Sequence, residues 1–315
     1  MPLKTDRSDT TVVFSGSLNE PFLLQPHLAE RVWGGNRLGP QIGEAWDLST
    51  HPHGLAVIGS GSYKGQYLAD VVAAHPEAFG GSIELLGKRL DCAESLSVQV
   101  HPSTGDAKTE AWVVLEAQEG AGIYLGFKHR VSAEEVARRA QDGSLPEILA
   151  FTEVNAGEVI YVPAGTVHAI GGGLVLFELQ QASDTTYRLF DWGRSGRELH
   201  LSEGLACAEL DVAPPRPVVR QVAPGVEELL RCPWFEIDRL SHSPSVSGHD
   251  AEQFVISPGA RWRALLVVAG QAEIAGLTLR AGETVMVPTT AGPRSLVAQS
   301  DFLALSYGPP HERDR

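Results

Sequence analysis

Cysteine is scarce in this chain, and its spacing excludes more than its number. The 315 residues hold three cysteines, Cys92, Cys207 and Cys232. No Cys-x-x-Cys pair occurs among them, so zinc-finger and thioredoxin-type sites are ruled out. An odd, widely spaced set makes no disulfide framework, and reduced thiols in a cytoplasmic protein are expected. Positive charge is also short: 25 Lys and Arg against 39 Asp and Glu leave a formal net charge of −14. That balance argues against nucleic acid or an anionic membrane as partner. A small anionic substrate stays open, because a few Lys and Arg reverse the field inside one cleft. The stretch from Met1 to Thr11 is polar and charged, neither a secretory signal nor a membrane span.

What is abundant is turn-forming residues. With 33 Gly and 20 Pro spread along the chain, many short strands joined by turns are expected, and the fold class is mainly β. Strand-like runs begin at Thr11-Val-Val-Phe, Phe22-Leu-Leu, Arg31-Val-Trp-Gly-Gly and Gly43-Glu-Ala-Trp-Asp-Leu-Ser. Helix is expected from Tyr67 to Ala74 and from Ile83 to Leu90. Ser132 reads as an N-cap, with Glu134 and Glu135 in the first turn of a helix running to Asp142. A short helix follows Pro146, strands resume at Thr152, and one more short helix covers Ser202 to Leu210. Pro214-Pro215-Arg216-Pro217 is the clearest break, and residues 218–309 are read as strand and turn.

The densest chemistry lies between Leu96 and Glu110. In Leu-Ser-Val-Gln-Val-His-Pro, alternation puts Gln99 and His101 on one strand face, with Val98 and Val100 on the other. Pro102 ends the hydrogen-bonding capacity of that strand, and Glu110 stands a short loop away. A second imidazole, His168, follows the turn Pro163-Ala164-Gly165. Two imidazoles, a carboxylate and an amide oxygen suit a borderline divalent metal such as zinc.

A repeat is also visible. Ala156-Gly157-Glu158-Val-Ile-Tyr-Val162-Pro163 is echoed by Ala281-Gly282-Glu283-Thr-Val-Met-Val287-Pro288, and Trp112-Val-Val-Leu-Glu-Ala by Leu265-Leu-Val-Val-Ala-Gly. This is the rhythm of a small cupin-style β-barrel occurring twice. In the second copy the position of His168 falls at Pro293 and that of Glu110 near Arg263, so only the first copy keeps metal-binding residue types. Two domains are expected: residues 1–213, with a helical insertion at about 131–150, and a metal-free unit at 218–315.

Taken together the chain resembles the class I mannose-6-phosphate isomerases in their short bacterial form. The resemblance covers most of the chain. It rests on Glu30-Arg-Val-Trp-Gly-Gly, Gly43-Glu-Ala-Trp, Leu96-Ser-Val-Gln-Val-His-Pro, Lys108-Thr-Glu-Ala-Trp, Tyr124-Leu-Gly-Phe-Lys, Val162-Pro-Ala-Gly-Thr-Val-His-Ala-Ile and Phe177-Glu-Leu-Gln-Gln-Ala-Ser-Asp-Thr-Thr-Tyr-Arg. It implies two cupin-like jelly-roll domains, one zinc per chain, and interconversion of mannose 6-phosphate and fructose 6-phosphate through an enediol. Gln99, His101, Glu110 and His168 then match the zinc ligands. Arg188 matches the active-site arginine, and Asp184 a carboxylate in the same cleft. Family members commonly carry a longer segment between the two halves of this site; here His101-Pro-Ser-Thr-Gly-Asp-Ala-Lys108 shortens it, so the pocket wall differs.

Residue chemistry fills in the remaining roles and leaves some open. Arg188 suits an enediolate or a phosphate, or else a salt bridge to Asp184 or Asp191. Asp184 is either a proton-transfer base or a group that orients Arg188. Lys108 is placed to polarise a sugar oxygen, with a solvated loop lysine as the plainer reading. Glu178 either projects into the barrel or bonds backbone. Lys128, His129, Arg130 and Arg194 are phosphate candidates that read better as surface. Trp33, Trp46, Trp112 and Trp192 read as core, and His200 and His249 as bystanders. Two alternatives to the isomerase of mannose 6-phosphate remain: an isomerase of another aldose or aldose phosphate, and a metal-holding cupin that binds sugar without turnover.

Overall fold

The computed structural model describes residues 16–248 and 250–311; the expected strand at Thr11-Val-Val-Phe and His249 lie outside them. Strands dominate and pair antiparallel throughout. A six-stranded sheet runs in the spatial order Val159–Val162, Glu110–Ala117, Leu174–Gln181, Leu85–Cys92, His27–Gly35, Ile42–Leu48. A five-stranded sheet follows the order Tyr187–Phe190, Val98–Val100, His168–Ile170, Gly122–Phe127, Leu149–Glu153. A ten-stranded sheet holds every strand after residue 218 together with Phe22–Gln25, which pairs with Thr284–Val287, and Val57–Ile58. Among the described residues no sheet closes into a barrel, so the expected barrels take the form of stacked open sheets.

The six-stranded sheet is the central layer. One face carries Leu85, Ala111, Val113, Phe177 and Leu179 into a core shared with Ile237, Ala264, Met286 and Tyr307 of the ten-stranded sheet. The other carries Leu90, Trp112, Val114 and Leu176 toward Ile123, Leu125 and Ile170 of the five-stranded sheet. A sheet covered on both faces lacks the apolar–polar alternation of a half-exposed one. That corrects the helix expected from Ile83 to Leu90: the residues form the strand Leu85–Cys92, buried along nearly its whole length.

The helices otherwise follow local chemistry. Leu68–Ala74 starts after Tyr67. In the helix Ala133–Asp142 the Ser132 hydroxyl accepts the Glu135 N–H at 3.2 Å, and Gly143 ends the helix at φ +84°. The turn at Pro146 is a 3₁₀ helix, Leu145–Ile148, and the last expected helix is Leu201–Cys207. Among the described residues no helix is long and apolar enough to cross a membrane.

The two repeats take the same form. Val162 lies opposite Glu110, and Val287 lies opposite Arg263. In each copy the glycine N–H of Ala-Gly-Glu donates to the carbonyl of the facing strand at 2.8 Å, Gly157 to Val114 and Gly282 to Val267.

Candidate active site

Sheet register assembles the site. In the five-stranded sheet His168 lies opposite Gln99, and Gln99 lies opposite Arg188, so three polar side chains share one row and one face. In the central sheet Trp46, Lys88, Glu178 and Trp112 form a second row across four strands. Glu110 begins its strand, with Lys108 in the loop before it. Together these rows frame a cleft of about 450 Å³.

At its closed end lies a buried cluster. The donor atoms of His101, Glu110 and His168 all fall within 4.8 Å of one another. His101 Nε2 is 3.4 Å from Glu110 Oε2, and His168 Nε2 is 3.3 Å from Oε1. Each imidazole is oriented from behind. His101 Nδ1 stands 2.9 Å from the Thr185 carbonyl and His168 Nδ1 2.9 Å from that of Thr166. A carbonyl only accepts, so both Nδ1 atoms carry the proton and both Nε2 lone pairs face Glu110. Gln99 completes the set with its amide 3.3 Å from His168 Nε2; a half-turn of that amide presents Oε1 there.

The electrostatics favour neutral imidazoles beside an anion. Burial, and then the charge of Lys108, lower His101 to about 4 against the pull of Glu110. Burial likewise lowers His168. For Glu110, burial pushes the carboxyl up, but Lys108 and His101 outweigh it and hold it well below the usual range. Lys108 Nζ lies 2.7 Å from Glu110 Oε2 and 3.2 Å from His101 Nε2. Its ammonium is stabilised, since Glu110 and Glu178 outweigh burial. Glu110 Oε2 is thus paired with the Lys108 ammonium, while Oε1 accepts no hydrogen bond and faces His168, which leaves it for a cation. Two neutral imidazoles oriented by carbonyls, one carboxylate and one amide fit a divalent metal.

The remaining expected residues line the same cleft. Glu178 accepts the Trp112 indole N–H at 3.1 Å and lies 3.5 Å from Lys88 Nζ. Arg188 donates from Nη1 to the Glu198 carbonyl at 2.8 Å, while its buried Nε has no hydrogen-bond partner. Asp191, weighed as its ion-pair partner, is instead taken by Arg194 and Arg197. Asp184 stands at the mouth, 2.5 Å from His53 Nδ1. The cleft walls hold five cations, Arg31, Lys88, Lys108, Arg188 and Arg197, against three carboxylates, Glu44, Glu178 and Asp184. Cations therefore outnumber carboxylates on this wall, in a chain whose formal net charge is −14.

Several of these residues escaped sequence reasoning. Lys88 was hidden by the helical reading of its strand. Glu44 sits in the motif Gly43-Glu-Ala-Trp, yet no chemistry marked it; it accepts from Trp46 at 2.7 Å and pairs with Arg31 at 2.8 Å. Trp46 is core, as expected, but also lines the cleft. His200 is no bystander, since its Nδ1 accepts the backbone N–H of Arg188 at 3.2 Å. Lys128, His129, Arg130 and Arg194 stand outside the cleft wall.

Stacked β-sheets with a buried His–Glu–His cluster at the end of a cationic cleft define a class: a mainly β protein with a candidate metal centre open to a small anion. Comparison with known proteins narrows it. The model of the phosphomannose isomerase type I catalytic domain matches residues 22–121. A mannose-6-phosphate isomerase of Streptococcus mutans is 35% identical over 303 residues, covering 86% of this chain and 93% of that protein. The crystal structure of the mannose 6-phosphate isomerase from Bacillus subtilis superposes with a TM-score of 0.82 at 26% identity, covering 91% of this chain and 99% of that one. A zinc-bound mannose 6-phosphate isomerase structure shares the fold with a TM-score of 0.73 at 15% identity, covering 92% of this chain and 100% of that one. The chain belongs to the mannose-6-phosphate isomerase family and is an isomerase. The non-catalytic reading is set aside.

Proposed function

We propose that this enzyme is a zinc-dependent isomerase that interconverts mannose 6-phosphate and fructose 6-phosphate through an enediol, in the cytoplasm. The observation that carries the reading is the pair of imidazoles, His101 and His168, each locked by a backbone carbonyl with its Nε2 turned to Glu110 at the head of a cationic cleft. Gln99, His101, Glu110 and His168 are the residues that would hold the metal. Bound there, zinc supplies Lewis-acid polarisation of a sugar oxygen. The free thiols of Cys92, Cys207 and Cys232 accord with a reducing compartment.

This chain's own groups do the rest. The isomerisation moves a proton between C1 and C2, and the negative charge that develops on oxygen requires a fixed cation. Lys108, buried and held as an ammonium, stands beside the candidate metal position and meets that charge. Arg188, permanently charged, takes the anionic end of the substrate. Asp184, kept ionised, accepts and returns the proton. Glu178, fixed by Trp112 and Lys88, takes a sugar hydroxyl as a hydrogen-bond acceptor.

The test is a chelator-stripped preparation assayed with mannose 6-phosphate before and after zinc is restored. Activity is expected to vanish and return with one equivalent per chain. A parallel panel of aldoses and aldose phosphates, read by ketose formation, tests the sugar. Zinc-replete enzyme that ignores mannose 6-phosphate but turns over another aldose would move the assignment to that sugar.

A further inference from the structure

Outside the His–Glu–His centre, the described residues hold one other cluster of this kind: His51, His53 and Asp184 at the mouth of the cleft. Their donor atoms lie within 4.8 Å of one another, a spacing that a metal ion tolerates. The hydrogen bonding argues otherwise. His51 Nδ1 accepts the backbone N–H of His53 at 3.3 Å, so the ring proton sits on Nε2, which lies 3.8 Å from Asp184 Oδ1. In the candidate metal centre Nδ1 faces a carbonyl and the Nε2 lone pair faces Glu110; here the arrangement is reversed, and the nitrogen nearest the carboxylate carries a proton. His53 Nδ1 lies 2.5 Å from Asp184 Oδ2, so the carboxylate accepts a hydrogen bond from the ring.

We propose that His53, supported by His51, is a positioning residue that holds the Asp184 carboxylate ionised and aimed into the cleft. This rests on the reading of Asp184 as the proton-transfer group. The local backbone suits such a clamp. His51-Pro52-His53-Gly54 is a turn closed by the Gly54 N–H donating to the His51 carbonyl at 3.0 Å. A Cβ at Gly54 would come within 2.5 Å of Trp46, so the turn is seated directly on the indole. Trp46 also packs against the His51 ring at 6.0 Å. The charged groups that face the clamp are Asp184 itself and Lys88, which acts on His51. Burial pushes Asp184 up, but the hydrogen bond with His53 and the charges of His51 and His53 outweigh it, so the carboxyl stays below its usual range.

His53 is 69% exposed, so its substitutions leave the core intact. In His53→Ala, kcat on mannose 6-phosphate is expected to fall about ten-fold, with KM and zinc content unchanged. The acid limb of the kcat–pH profile is expected to move to higher pH, because a carboxylate that loses its donor holds its proton more tightly. His53→Asn keeps a donor at the same reach and should recover most of kcat and return the limb. A His53→Ala profile that superposes on the wild type overturns the inference. Asp184→Asn separates it from the reading beneath. If Asp184→Asn keeps wild-type turnover, the role of Asp184 falls and the clamp with it. If it loses turnover while His53→Ala does not move the profile, only the clamp falls.

Discussion

At the residue scale the site is defined by what stands behind each ligand. His101 and His168 are buried, and each has its tautomer set by a backbone carbonyl, Thr185 or Thr166. Thr185 directly follows Asp184, so the loop that carries the proposed base also orients His101, a proposed metal ligand. His168→Ala leaves a carboxylate, an amide and one imidazole in a misshapen site. Metal retention after dialysis is expected to drop at least about 100-fold in affinity, and activity with it; one retained equivalent in that variant would contradict the assignment. Lys108 plays a different part, since its ammonium touches the cluster without being a ligand. Lys108→Met is expected to keep zinc and to lower kcat by about 10²- to 10⁴-fold, measured by turnover and metal content on the same preparation.

At the element scale the strand Leu85–Cys92 marks the limit of what the sequence discloses. Gln99, His101, Glu110 and His168 were legible because their spacing and flanking turns expose a chemistry that few other patterns share. Helix starts with explicit caps, such as Ser132, were legible for the same local reason. Lys88 was not, because Leu85-Leu-Gly-Lys-Arg-Leu-Asp-Cys has neither the period-2 alternation nor the continuous apolar run that marks a strand, and its meaning lies in a register four strands wide. In that register Lys88 Nζ donates to Gln180 Oε1 at 2.8 Å, lies 3.5 Å from Glu178 Oε1, and stands 4.5 Å over the Trp46 ring. Removing the cation leaves Glu178 buried with the Trp112 indole N–H as its hydrogen-bond donor. Lys88→Met is therefore expected to lower stability by about 3 kcal/mol, read by chemical denaturation. Adding Glu178→Gln should recover part of that loss, since the double variant no longer buries an unpaired charge. Additive losses would show that the two groups do not act as a pair.

At the scale of the whole molecule, the two copies of the repeat differ at the positions a metal would need. The register that places Glu110 at the metal centre places Arg263 in the second copy. Arg263 is buried and paired with Glu236 at 2.7 Å and Asp238 at 2.6 Å, and its Nε donates to Ser306 at 2.9 Å. A guanidinium thus stands where a metal would, and the carboxylates around it are satisfied without an ion. One metal per chain is what this arrangement predicts. The same network is expected to make the second copy acid-sensitive. Burial pushes Glu236 up, but its hydrogen bond with His311 and the charge of Arg263 outweigh that and take it from 4.5 down to about 2. A carboxyl held lower in the folded than in the unfolded chain stabilises fully above its ordinary value, and that contribution disappears as pH falls toward the folded value. With the side chain only 4% exposed, the stake is up to about 3 kcal/mol, lost between pH 4.5 and about 2. Glu236→Gln should be less stable than the wild type at pH 7 and should lose less on acidification through that window. Melting temperatures of both proteins at closely spaced pH values check the sign. Parallel curves would show that Glu236 is not what couples the second copy to pH.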